Sequence, residues 1–180
     1  MDIALEKLKQ AIEDAIEGLS GEDLTWHPPG KWCAAEVLEH LYLTYTGTVK
    51  GLERVVAGGK PIVHPATFRQ RCRTLLAVGL GYLPEGRKAP RATLPRGVPQ
   101  DKVRAEISAK IVAMDEIIAR CEERFGRHTK VLDHLILGPL TAAQWRKFHL
   151  VHGLHHVKQL RRLRQTREHG RATRLETNVF

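Results

Sequence analysis

The chain has 180 residues, 42% hydrophobic and 27% charged, the composition of an ordinary globular protein and the size of one domain around one core. No window approaches the ~20 uninterrupted apolar residues of a membrane span, and the three cysteines, Cys33, Cys72 and Cys121, form no C-x-x-C pair and include an odd one, which argues against a disulfide framework or a thiolate zinc knot. The formal charge of +9 draws anionic partners, but the excess crowds into 69–96 and 161–174 while 2–23 is net acidic, a pattern that favours a solvated tail or lid over a dedicated nucleic-acid surface.

The start, Met1 to Glu6, mixes acidic with apolar residues and lacks a basic leader region, an apolar run and a cleavage site, so a soluble, cytoplasmic protein without a membrane partner is expected. Leu8, Ile12, Ala15, Ile16 and Leu19 then recur at three- and four-residue spacing, which predicts a first helix ending near Gly21. From Leu24 to Trp32 adjacent prolines and a glycine forbid regular helix while two tryptophans demand burial, so this reads as a packed connector. A second helix begins near Cys33, carries Val37, Leu38, Leu41, Tyr45, Leu52 and Val55 on one side, and ends at Gly58-Gly59.

Between Gly58 and Gln100 prolines, glycines and arginines dominate, interrupted by one short helix over about 67–78; a connector this long reads as a lid across one end of the bundle. A third helix runs from about Asp101 through Val103, Ile107, Ile111, Met114, Ile118 and Cys121 to Gly126. Thr141 and Gln144 make a capping box for a fourth helix, which continues through Trp145, Phe148, Val151 and Leu160 to Leu163 before dissolving into a basic tail. With no internal repeat and no useful strand alternation, four main antiparallel helices are the economical all-α architecture: a domain over 1–163 with a lid at about 58–100, and a mobile tail over 164–180.

The chemistry is concentrated in the last helix, which places His149, His152, His155 and His156 within eight positions. At ~100° per residue His152 and His156 project within roughly 40° of each other, one turn apart, the spacing that lets two imidazoles reach one ion. The third ligand must come from another helix, and His40, on the edge of the buried stripe of the second, is the candidate. Three histidines leave coordination positions open, as a catalytic rather than a structural metal requires. Gln159 stands where it can orient an imidazole. His27, His64, His128 and His134 read as satisfied core residues, and His149 and His155 as hydrogen-bond partners or surface groups.

Two stretches carry a family resemblance. Gly30-Lys31-Trp32-Cys33-Ala34-Ala35-Glu36-Val37-Leu38-Glu39-His40-Leu41 resembles the entry to the second helix of the DinB-like (DinB/YfiT) superfamily, with Cys33 where serine or threonine is commoner. Gly138-Pro139-Leu140-Thr141 with Trp145, Phe148, His152, His155-His156 and Gln159 is similar to its later signature. The resemblance implies an up-up-down-down four-helix bundle with a long crossover connector, a divalent ion on His40, His152 and His156, and a homodimer.

The expectation that follows is a metal-dependent S-transferase or hydrolase. Zn²⁺ or Ni²⁺ would activate water or a low-molecular-weight thiol, and Arg87 and Arg91, with Lys88 and Arg96 nearby, would attract an anionic small-molecule substrate or cofactor. Glu36, Glu39 and Asp133 are each eligible as general acid or base, but no spacing fixes any of them relative to the metal, so the sequence assigns none. The competing expectation is a non-enzymatic, metal-stabilised module that binds a partner or nucleic acid through its basic surface or tail.

Overall fold

The computed structural model describes residues 1–84, 86 and 88–177, with side chains through Arg171. Its first helix, α1 (Ile3–Ile16), starts where the Asp2 carboxylate accepts hydrogen bonds from the backbone of Ala4 and Leu5, and it buries Leu5, Leu8, Ile12, Ala15 and Ile16. A short second helix, α2 (Gly21–Thr25), follows at once, because Ser20 and Asp23 cap each other reciprocally at its start. The regular helix thus enters the connector before the prolines take effect.

Cys33 opens α3 (Ala34–Gly58) by standing in for the serine of a capping box: its sulfur accepts from the Glu36 amide at 3.4 Å, and the Glu36 carboxylate accepts from the Cys33 amide at 2.8 Å. Gly59 ends the helix at φ +66°, a conformation that favours glycine. The connector holds α4 (Phe68–Thr74), prolonged by a π-helical turn (Leu75–Gly79), and a 3-10 turn (Arg91–Thr93). Helix α5 (Gln100–Phe125) packs along α3, and α6 (Ala142–Thr177) packs along α1. Leu5, Leu8, Leu41, Leu52, Ile107, Ile111 and Ile118 meet in the core, where each fully buried aliphatic side chain contributes about 1.5–3 kcal/mol.

Three sequence expectations need correction. Six α-helices, rather than the four of the expected bundle, span the described residues: α4 with its π-helical turn is the short connector helix expected over about 67–78, and local capping creates α2 from a segment too short to show a periodic stripe. The segment before α6 is an antiparallel hairpin, β1 (Lys130–His134) with β2 (Gly138–Thr141), extended by Ile62 of the connector, which exchanges backbone hydrogen bonds with Val131 and Asp133. Helix α6 does not stop near Leu163: its backbone stays helical to Thr177, held by Arg167 and Arg171, which lie 3.5 and 2.9 Å from the Asp23 carboxylate of α2. Residues 178–180 of the expected mobile tail lie outside the described residues. The Thr141–Gln144 capping box forms as expected. No helix among the described residues is long and apolar enough to cross a membrane.

A polar bridge ties the long helices together. Asp115 of α5 accepts from Arg146 of α6 at 2.8 Å and from the Asp2 amide at 2.6 Å, while Arg146 also reaches Glu122 at 3.2 Å. This fixes α6 in rotation and register against α5, and with it the direction in which its histidines face.

Candidate metal centre

Helices α3 and α6 bring His40, His152 and His156 together, 112 and 116 residues apart in sequence terms only. His152 Nε2 lies 3.2 Å from His40 Nε2 and 3.2 Å from His156 Nε2, and the ligand atoms of the set all fall within 4.8 Å of one another. Nitrogens bound tetrahedrally at ~2.0–2.1 Å stand about 3.3–3.4 Å apart, so the two contacts of His152 have the edge length of a metal site, while the set as a whole, within 4.8 Å, is wider.

The hydrogen positions decide whether an ion fits. His40 Nδ1 is 2.8 Å from the carbonyl of Thr93, which can only accept, so Nδ1 carries the hydrogen and Nε2 keeps its lone pair. His156 Nδ1 is 3.0 Å from Oε1 of Gln159, with the same consequence. His152 then has no good arrangement of its own. A hydrogen on Nε2 satisfies only one of its two neighbours; a hydrogen on Nδ1 points into a buried place without a protein acceptor, and three lone pairs converge. A cation at the common centre removes the repulsion among the Nε2 atoms. The cluster can therefore coordinate a divalent metal ion.

Electrostatics agree. Burial lowers the pKa of His40, and burial followed by the charges of His156 and His40 lowers that of His152 far below the ordinary histidine range. Burial, reinforced by His40, takes His156 to about 3. All three are neutral at pH 7, the protonation state that donates a lone pair to a metal. Aromatic walls fix the ring planes: Trp32 lies 5.4 Å from the His40 ring and Phe148 stacks on His152 at 5.3 Å.

Over residues 1–163 the chain matches a family described as a protein of unknown function (DUF1569). The chain belongs to this family. No curated protein and no solved structure matches it. The match gives no support to the DinB-like identity that the two motifs resemble, and six helices replace that superfamily's four, so the shared features are the motifs and the three histidines.

The remaining expectations divide. Gln159 does orient His156. Arg91 sits exposed on the 3-10 turn whose Thr93 carbonyl holds His40, whereas Arg87 lies outside the described residues. The three carboxylates considered as acid or base are all committed elsewhere. Glu36 caps α3; Asp133 accepts from the His64 amide at 3.0 Å and lies 2.6 Å from its ring; buried Glu39 accepts from the amides of Arg96, Gly97 and Val98 at 2.8, 3.2 and 3.1 Å. His27, His64 and His128 are exposed rather than core residues, because each lies on a connector or turn outside the apolar stripes.

Sequence reasoning missed two features of this family member's site. Glu39 and His40, adjacent on α3, together strap the segment 93–98 across the site, and a carboxylate on a buried stripe beside a ligand histidine was the available signal. His149 is fully buried against Trp145 and Tyr45, with no protein partner for either ring nitrogen and a pKa lowered by burial to about 3.

Proposed function

We propose that this chain is a metal-dependent enzyme, a transferase or hydrolase, with Zn²⁺ or Ni²⁺ held by His40, His152 and His156. The observation that carries the reading is the convergence of three Nε2 atoms whose outer nitrogens are, in His40 and His156, tied to acceptors. A divalent ion with three histidine ligands supplies Lewis acidity at an open position, lowering the pKa of water or of a low-molecular-weight thiol so that a nucleophile exists near neutral pH.

The chain's own residues prepare that chemistry. The Thr93 carbonyl and Gln159 amide hold His40 and His156 in one tautomer and increase their basicity. Phe148 holds the plane of His152. The strapped connector serves as a lid that limits water, and exposed Arg91, with Arg87 four residues before it, offers guanidinium groups to an anionic small-molecule substrate. Glu36, Glu39 and Asp133 are engaged in the α3 cap, the connector strap and the His64 contact, so in this reading proton transfer falls to the nucleophile and the solvent.

Elemental analysis of the purified protein beside His40→Ala and His152→Ala tests the site. Near-stoichiometric metal in the wild type, lost in both variants, supports it and directs a screen of thiol-transfer and hydrolysis substrates. A wild type that stays metal-free after incubation with Zn²⁺ and Ni²⁺ overturns it.

A further inference from the structure

The connector carries a surface that the metal centre does not use. Phe68, Leu75, Leu80 and Tyr82 are 83%, 63%, 70% and 60% exposed, an unusual concentration of large apolar side chains in solvent within fifteen residues. The pattern is ordered rather than incidental. At ~100° per residue Phe68, Cys72 and Leu75 fall within about 60° of one another on the outer face of α4, and Arg69 and Arg71 flank that stripe on its two sides. The opposite face is the one that anchors: Thr74 donates to the Leu137 carbonyl at 2.8 Å, Gln70 lies against Gly138, and Ala77 and Val78 are buried. The helix thus lies flat on the domain with its apolar stripe outward.

Charge points to the occupant. Residues 58–100 hold eight lysines and arginines against one acidic residue, Glu85, so +7 of the chain's +9 resides in this connector. Arg69, Arg71, Arg73, Lys88, Arg91 and Arg96 form no ion pair with any described residue. A twofold contact between copies through the stripe would set Arg69 and Arg71 against themselves. Nucleic acid could stack on Phe68 and Tyr82 but would leave Leu75 and Leu80 against polar phosphates and sugars, whereas a bilayer takes all four. An apolar stripe rimmed by unpaired arginines on the outward face of a surface helix matches an anionic bilayer, where the apolar side chains enter the acyl boundary and the guanidinium groups stay with the phosphates.

We infer that α4 and the following turn, through Phe68, Leu75, Leu80 and Tyr82 with Arg69 and Arg71, dock the protein on an anionic lipid surface. The absence of a spanning helix excludes a helical span and does not bear on peripheral contact of this kind. The inference is independent of the metal, since none of these residues belongs to the histidine cluster.

Co-sedimentation with vesicles tests it: phosphatidylcholine alone, and phosphatidylcholine with phosphatidylglycerol. The wild-type chain is expected to sediment with the anionic vesicles and to be released by salt. Arg69→Gln with Arg71→Gln should weaken partitioning roughly five-fold per arginine. Phe68→Ser with Leu75→Ser should weaken it about ten-fold or more while leaving the charge unchanged. Lys102→Gln with Arg104→Gln, exposed on α5, removes the same charge elsewhere and should have the smaller effect. The inference is overturned if the wild type ignores anionic vesicles, or if the α5 pair lowers binding as much as the α4 arginines while Phe68→Ser with Leu75→Ser changes nothing. It is equally overturned if the serine variants abolish a dimer in sedimentation analysis and vesicles bind neither form. All substitutions are at exposed positions or partly exposed ones, and circular dichroism checks that each variant is folded.

Discussion

Replacing Glu39 by glutamine isolates the bond that holds the connector over the histidines. The buried carboxylate accepts from three consecutive amides, those of Arg96 and Val98 on Oε1 and that of Gly97 on Oε2. Glutamine keeps the shape and one accepting oxygen, but its amide nitrogen would then face the Gly97 N–H, donor against donor, and the charge that strengthens the other two bonds is gone. Leaving one buried donor unpaired costs about 1–3 kcal/mol, and weakening two charge-assisted bonds adds a further fraction of the roughly 1.5–3 kcal/mol each is worth, so a loss of about 2–4 kcal/mol is expected. Hydrogen exchange followed by mass spectrometry should show the amides of 96–98 exchanging roughly 30-fold faster or more. The urea midpoint should fall as well. If metal is present, its affinity should drop with the same variant, because the Thr93 carbonyl that orients His40 is carried on the released segment. Unchanged protection at 96–98 together with an unchanged midpoint would refute the view that Glu39 is the strap.

Other substitutions probe other parts of the argument. His134 and His149 have pKa values lowered by burial to about 4 and about 3, so below the ordinary value near 6.5 the unfolded chain binds protons that the folded chain refuses. Stability is therefore full above pH 6.5 and falls as pH drops toward 4, by about 1.4 kcal/mol per unit for each histidine, and His149→Phe should flatten the decline measured by urea midpoints across that range. A Cβ at Gly153 would meet both Leu8 methyl carbons at 2.6 Å and Tyr45 Oη at 3.0 Å, so Gly153→Ala should destabilise by about 1–3 kcal/mol in thermal melts. Gly47, in mid-helix with nothing near its Cβ position, should gain about 1 kcal/mol as alanine. Cys33→Ser should preserve the capping box and change stability little, whereas Cys33→Ala should cost about 1 kcal/mol by calorimetry.

Much of the site could be read before any coordinates. His152 and His156 share a face because the helical repeat places residues four apart together, and the apolar stripe of α3 carries His40 to the interior for the same reason. The long helices were legible from stripes such as Val103, Ile107, Ile111, Met114, because burial on one side leaves a period of 3.6 in the sequence. The convergence of the three Nε2 atoms was not determined by any periodicity. It depends on how α6 is rotated against α3, which Asp115 and Arg146 help to fix from distant parts of the chain.

The same distinction explains the failures. Helix α2 is too short for a stripe and exists through capping, and the hairpin pairs Lys130–His134 with Gly138–Thr141 by backbone bonds that side-chain pattern barely records. The roles of Glu36, Glu39 and Asp133 were open in the sequence because a carboxylate looks the same whether it meets a substrate or three backbone amides. Composition and local periodicity determine which residues are buried and which share a helix face, since those depend on near neighbours. Which buried groups meet, and which hydrogen each imidazole keeps, is decided by contacts between segments far apart in the chain, and only the tertiary structure contains them.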